Sequence, residues 1–143
     1  MTTVLLANAA ATLFMAGLTW FVQVVHYPLF PLVGDGFTEY HRRHSNRTTF
    51  VVLPPMLVEL VTSFWLLLDP PGDASGLAVA GAALAGATWA LTALGAAPAH
   101  GRIGREGLGP DLQNRLLRIS WLRTIAWTAH AGVVIAMLSV AID

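Results

Sequence analysis

Glu59 lies near the middle of TTFVVLPPMLVELVTSFWLLL, a stretch long and apolar enough to cross a bilayer, and His130 falls at the same depth in the last apolar stretch of the chain. A charge at the centre of a membrane helix costs roughly 2.5 to 3.5 kcal/mol, so ionisable residues there face a bundle interior, pair with one another, and mark sites or pathways. Burial without a partner raises the pKa of a glutamate and lowers that of a histidine, whereas contact between them favours the ion pair, so the couple is suited to moving a proton. Arg123, about two turns from His130 on the same helix, completes a candidate catalytic group of Glu59, His130 and Arg123. If Arg123 cannot snorkel to water it needs an acid or an anionic ligand. The alternative role for the pair is polar glue between helices.

A second group gathers at one end of the same helices. His26, His41, His44 and His100 come from three different helices and fall near one membrane boundary. His41 and His44, at i and i+3, share a helix face, a workable spacing for two imidazoles on one metal. Mixed histidine and carboxylate ligation suits iron, copper, manganese or zinc, with iron the first expectation; Glu39, Tyr40, Asp111 and Asn114 are available as further ligands or as groups that orient the rings. His26 and His44 are alternatively placed as the two axial ligands of a b-type haem. Gln23, on the His26 face of its helix, and Trp127, on the face shared by Arg123 and His130, are the candidates for touching a cofactor. With no cysteine in the chain, disulfides, thiolate ligands and iron–sulfur clusters are excluded.

Four helices are expected to position these residues. The chain has 143 residues, 55% of them hydrophobic and only 11% charged. Its mean hydropathy of +0.63 belongs to an integral membrane protein rather than a soluble domain. Apolar runs at about 4–33, 48–68, 76–99 and 116–141 each reach the roughly 20 residues that a span requires. The expected fold is all-α, a single membrane domain over 1–143. It is a four-transmembrane-helix bundle with helices over 4–33, about 38–68, 76–99 and about 112–141. Lacking a basic leader or a cleavage signal, the first run is taken as a true helix. Helix 2 is expected to start before the membrane, with Thr38 as its cap, and to kink at Pro54 and Pro55, whose missing N–H groups free carbonyls. His41, His44, Thr48, Pro55, Glu59 and Thr62 then form one stripe about 60° wide, leading from the rim to mid-membrane.

All eight basic residues are arginines, and all lie in the first or third connection or the adjoining turns. The positive-inside rule therefore puts both basic loops in the cytoplasm and both termini outside. The exclusive use of Arg, with abundant Ala and Gly, suggests a GC-rich bacterial genome and hence a bacterial inner membrane.

The expected function is a membrane-embedded His/carboxylate metalloenzyme of oxidoreductase type acting on a lipophilic substrate. The alternatives are a bis-histidine haem or quinone electron-transfer module, a metal-free isomerase or cyclase using Glu59 and His130, and a proton-coupled transporter or assembly factor. Expected partners are a lipophilic small molecule or quinone, membrane lipid, and a redox partner or a second copy in a homodimer. Nucleic acid is not among them.

Overall fold

The structure, a computed structural model, describes residues 2–142, which are helical apart from the short connections 69–74 and 107–109, with no strand among them. Helix α1 covers Thr2–Phe21, α2 Phe37–Leu68, α3 Ser75–Leu91, α4 Ala97–Glu106 and α5 Pro110–Ile142. A π-helical segment, Val22–His26, and a 3-10 segment, Tyr27–Gly36, join α1 to α2, and a second π-helical segment, Thr92–Ala96, joins α3 to α4. Three continuous helical stretches are long and apolar enough to cross a membrane: Thr2–Leu68, Ser75–Glu106 and Pro110–Ile142.

Four separate helices were expected, and the difference lies in the first connection. It keeps helical hydrogen bonding nearly throughout, so α1 and α2 form one stretch broken at Gly34, whose φ of 70° and ψ of −144° suit glycine alone. At that break the chain folds back: Asn8 in α1 donates to Thr62 Oγ1 (2.8 Å) and Ser63 Oγ (2.9 Å) near the far end of α2. The stretch therefore contributes two arms. These arms, α3 and α5 form a closed ring of neighbours in which α1 packs on α2 and α5, and α3 packs on α2 and α5.

Several expected boundaries shift. Helix 1 changes winding at Val22 instead of running uniformly to residue 33. Gly36, not Thr38, stands at the N-cap of α2, with no side chain capping it. The third connection folds largely into α4, which ends where Gly107, at φ 81°, donates its N–H to the Ile103 carbonyl. Helix α2 stays α-helical through Pro54 and Pro55. Just beyond them, the Trp89 indole N–H donates to the Met56 carbonyl at 3.2 Å.

The bundle sets polar side chains among the apolar ones of its interior and is greasy outside. Asn8, Thr12, Glu59, Ser63, Thr88, Thr124 and His130 are buried, while Phe50, Val61, Phe64, Ile125 and Ile135 are exposed. Water would penalise that outer surface; a lipid environment does not, and in lipid interhelical hydrogen bonds and close packing of small residues supply the cohesion. Helix α3 offers Ala78, Gly81, Ala82 and Ala85 as its buried face, which lets α5 approach closely.

Candidate functional site

The stripe along α2 faces the interior, carrying His41 and the partly buried His44 and Thr48 at one end and the fully buried Glu59 in the middle. It passes through two polar centres of different construction.

The deep centre is closed. His130 Nδ1 lies 2.7 Å from Glu59 Oε1, and the Trp127 indole N–H reaches both carboxylate oxygens, at 3.0 and 2.9 Å. The Thr12 hydroxyl donates to Oε1 at 3.4 Å, and Asn8 donates to the Glu59 carbonyl at 3.2 Å. Glu59, His130, Thr12, Asn8 and Trp127 are all without solvent exposure, and none of them lines a cavity. Two other helices, α1 and α5, thus direct their polar groups at one carboxylate. Thr88, at similar depth, bonds only its own helix, at the Ala85 carbonyl. His130 Nε2 keeps no partner and faces Gly81, where an added Cβ would sit 3.4 Å away in ordinary contact.

The rim centre is open. His26 Nε2 stands 3.0 Å from His44 Nδ1, and His41 Nε2 stands 3.0 Å from His100 Nδ1. Tyr27 OH meets His100 Nε2 at 2.9 Å, and Thr48 Oγ1 meets His44 Nδ1 at 3.1 Å. Ring centroids of His44 lie 4.5 Å from His26, 6.3 Å from His41 and 5.8 Å from His100, so all four imidazoles form one cluster. The two π-helical segments explain how the sequence delivers them. Each inserts extra residue length into a turn and resets the register of the residues after it, a device frequent at functional sites. The first carries His26 and turns Tyr27 inward; the second precedes His100 by one turn. Phe30, on the 3-10 segment and 1% exposed, packs its ring 5.1 to 6.1 Å from His26, His41 and His44.

Among the described residues no acid bonds to this cluster or lines its cavity. Glu39, a potential ligand by its spacing, points to solvent in a fork with Arg42 and Arg43 at 2.6 to 2.8 Å, which holds its carboxyl at about 2. Asp111 and Asn114 line a separate groove beside Arg115 and Arg118. Tyr40 stacks on His44 at 6.3 Å without a hydrogen bond to it. In each of the two close nitrogen pairs one imidazole nitrogen must accept the hydrogen bond, so each pair carries a lone pair. Among the described residues no three His, Cys, Asp or Glu side chains converge as a metal site; the imidazoles stand as two hydrogen-bonded pairs. His44 Nε2 is buried and unpartnered.

A cavity of about 450 Å³ opens beside the cluster, between α2 on one side and the second π-helical segment with α4 on the other. His41, His44, His100, Tyr27 and Arg123 reach its wall; His26 stands behind His44. Arg123 is separated from the Glu59–His130 pair with which its spacing grouped it. Its guanidinium lies over Trp127, 5.1 Å from the ring centroid, between the two centres. Trp127 gives its N–H to Glu59 and does not line the cavity. Gln23 is buried in the first π-helical segment with its Oε1 unpartnered, also off the cavity wall. Sequence reasoning missed Tyr27, Phe30 and Asn8. Asn8 was visible as a lone amide in an apolar run, whereas nothing in YPLFP marks Phe30 as the centre of an imidazole cage.

Taken together these features define a helical protein whose helices are long and apolar enough to span a membrane, with a buried carboxylate network and a histidine-lined cavity. The chain matches no known family model, and no curated protein or solved structure is significantly similar to it.

Proposed function

We propose that the chain is a four-span membrane protein, the two arms that meet at Gly34 each crossing once, and that its histidine cluster binds a transition metal. Its function in this reading is a metal-dependent, oxidoreductase-type reaction on a lipophilic substrate held in the adjoining cavity. The observation that carries the reading is the cluster itself: four imidazoles from three segments, with two nitrogen pairs at 3.0 Å, no acid among the described residues on the adjoining cavity wall, and one buried nitrogen left over. Two imidazole nitrogens on a shared tetrahedral ion at about 2.0 to 2.1 Å stand roughly 3.3 Å apart, close to the pairing seen. His44, within 6.3 Å of the other three rings, is the residue through which the pairs would converge on one ion. Iron, copper, manganese or zinc suits an all-imidazole set with an oxygen from Tyr27. The metal would supply Lewis acidity or electrons, and a quinone or partner protein the other half of a redox couple. Haem fits less well, because the His26 and His44 nitrogens touch and leave no space for a macrocycle between them.

The arginine-rich connections support an orientation with the histidine rim in the cytoplasm, as in a bacterial inner membrane. A second reading, proton transfer without metal, is favoured by the chain Tyr27 to His100 to His41, with links of 2.9 and 3.0 Å. The test is the metal content per chain of protein purified in mild detergent, with an absorption spectrum. About one equivalent, lost in the His41→Ala/His44→Ala double variant, supports the metal site. Absence of any metal after reloading overturns it and leaves the proton chain, and a Soret band replaces the bare ion with haem.

A further inference from the structure

Among the described residues Arg123 is a buried cation with the Tyr27 phenol as its polar neighbour and no acid beside it. It is 8% exposed, it has no carboxylate partner among the described residues, and its Nε is buried without a hydrogen bond. The ion pairs among the described residues all lie elsewhere: Glu39 with Arg42 and Arg43, Glu106 with Arg102, and Glu59 with His130. An unpaired buried cation is expensive, and its usual remedies are an acid or a bound anion. Trp127 shields one face of the guanidinium and fixes its plane. The guanidinium itself reaches the cavity wall beside Tyr27 and His100.

We infer that Arg123 binds the carboxylate of a single-chain amphiphile whose apolar tail runs along the cavity, which names the substrate class of the site proposed above and rests on that cavity being the substrate site. Charge selects the headgroup. Of the two arginines on the wall, Arg42 is already paired with Glu39 at 2.8 Å, which leaves Arg123 as the guanidinium there with no acid beside it among the described residues. A carboxylate accepts two parallel bonds from a guanidinium fork, which a neutral alcohol headgroup does not. The tail follows from one part of the wall. Beside the polar Ser45, Asn46, Thr48 and Thr49, the cavity carries Val52, Ala96 and Ala97 as small or apolar surface, and Phe50 and Leu94, both strongly exposed, stand on the lipid-facing side of the helices that frame it. A carboxylate entering from the leaflet would place its first carbons beside Tyr27 and His100, which donate and accept protons there.

The probe is radiolabelled laurate, with dodecanol and acetate as comparisons, bound to the full chain in lipid nanodiscs against empty discs. Laurate retained above the empty-disc level, little competed by equal dodecanol or acetate, is the expected result. Arg123→Gln should weaken it about tenfold, the scale of one charge-assisted hydrogen bond. Arg123→Lys, which keeps the charge and loses the fork, should fall between. A merely structural arginine gives a different signature. Here laurate should raise the Tm of the native chain and leave that of Arg123→Gln unmoved, while the ligand-free variant melts no lower than the native chain because a lone buried charge has gone. Equal laurate binding by native, Gln and Lys forms overturns the inference, as does dodecanol binding as tightly as laurate. Acetate competing as well as laurate overturns the membrane source of the carboxylate. Should Arg123→Gln fail to fold, the Lys variant decides alone. Laurate bound through Arg123 by a chain that takes up no metal would remove the metal reading and leave this one standing.

Discussion

The two polar centres sit on one face of one helix, about four turns apart from His44 to Glu59, and are built on opposite principles. Around Glu59 the Trp127 N–H reaches both carboxylate oxygens, His130 and Thr12 add to Oε1, and the atoms left unpartnered there, His130 Nε2 and Asn8 Oδ1, are packed against protein away from the histidine-lined cavity. Around His44 the partners are other histidines and Thr48, one nitrogen is left over, and a cavity of about 450 Å³ lies alongside. Both centres keep unpartnered buried atoms, so adjoining volume is what separates them: a polar group packed on all sides ties helices together, and one beside a cavity is available for chemistry. That contrast reverses the order of interest set by composition, in which the lone acid in the membrane ranked first.

The largest effect expected from breaking the comparison is at Glu59. Glu59→Ala leaves His130 Nδ1, the Trp127 N–H and the Thr12 hydroxyl unpartnered at a site without water. Removing one member of a buried pair costs about 3 to 5 kcal/mol, and the variant should lose that much in a reversible denaturation assay. Glu59→Gln, which keeps acceptor and shape, should lose less and still bind metal and ligand at the rim. A Glu59→Gln chain that stays folded and empties the rim site would show that the two centres are one.

The inward stripe on α2, the rim position of His26, His41, His44 and His100, and the greasy exterior were all legible in the sequence, because 100° per residue and polarity alone determine them. The pairing of Glu59 with His130 needed only matching depth. What could not be read is whatever depends on local winding. The π-helical segments carry no residue signature, yet they rotate Tyr27 and His100 into place. Gly34 is one of several glycines in the connections, and nothing in the sequence distinguishes it as the point where one helical stretch folds into two arms. Arg123 was grouped with His130 on helical spacing, which was right for the face and wrong for the company, because Trp127 occupies the space between them.

A smaller effect sharpens the same contrast from the rim side. Phe30 touches three of the four histidines and donates nothing to any of them, so it acts by shape. Phe30→Leu stays apolar, and its cost in stability should remain within about 1.5 kcal/mol. The imidazoles should nonetheless lose their mutual register, so metal affinity should drop while the Glu59 network, deeper in the bundle, keeps its melting behaviour. Equal loss at both centres would mean that the rim is ordinary core.

The smallest expected effect concerns a residue outside both centres. Glu39 is exposed and holds Arg42 and Arg43, the first of which reaches the cavity wall. Glu39→Gln frees Arg42 and so raises the positive charge at the cavity mouth without touching any group inside it. Because a solvent-exposed charge is strongly screened, laurate should bind only about twofold to fivefold tighter, and raising the salt to molar strength should erase the gain. Arg123 lies out of reach of bulk ions, so the Arg123→Gln deficit should persist in the same salt. A surface charge that salt removes and a buried charge that salt leaves intact would separate steering at the rim from recognition within it. If salt instead abolished the Arg123 contribution, that guanidinium would be hydrated in the working protein, and the carboxylate would be only one of the anions it meets.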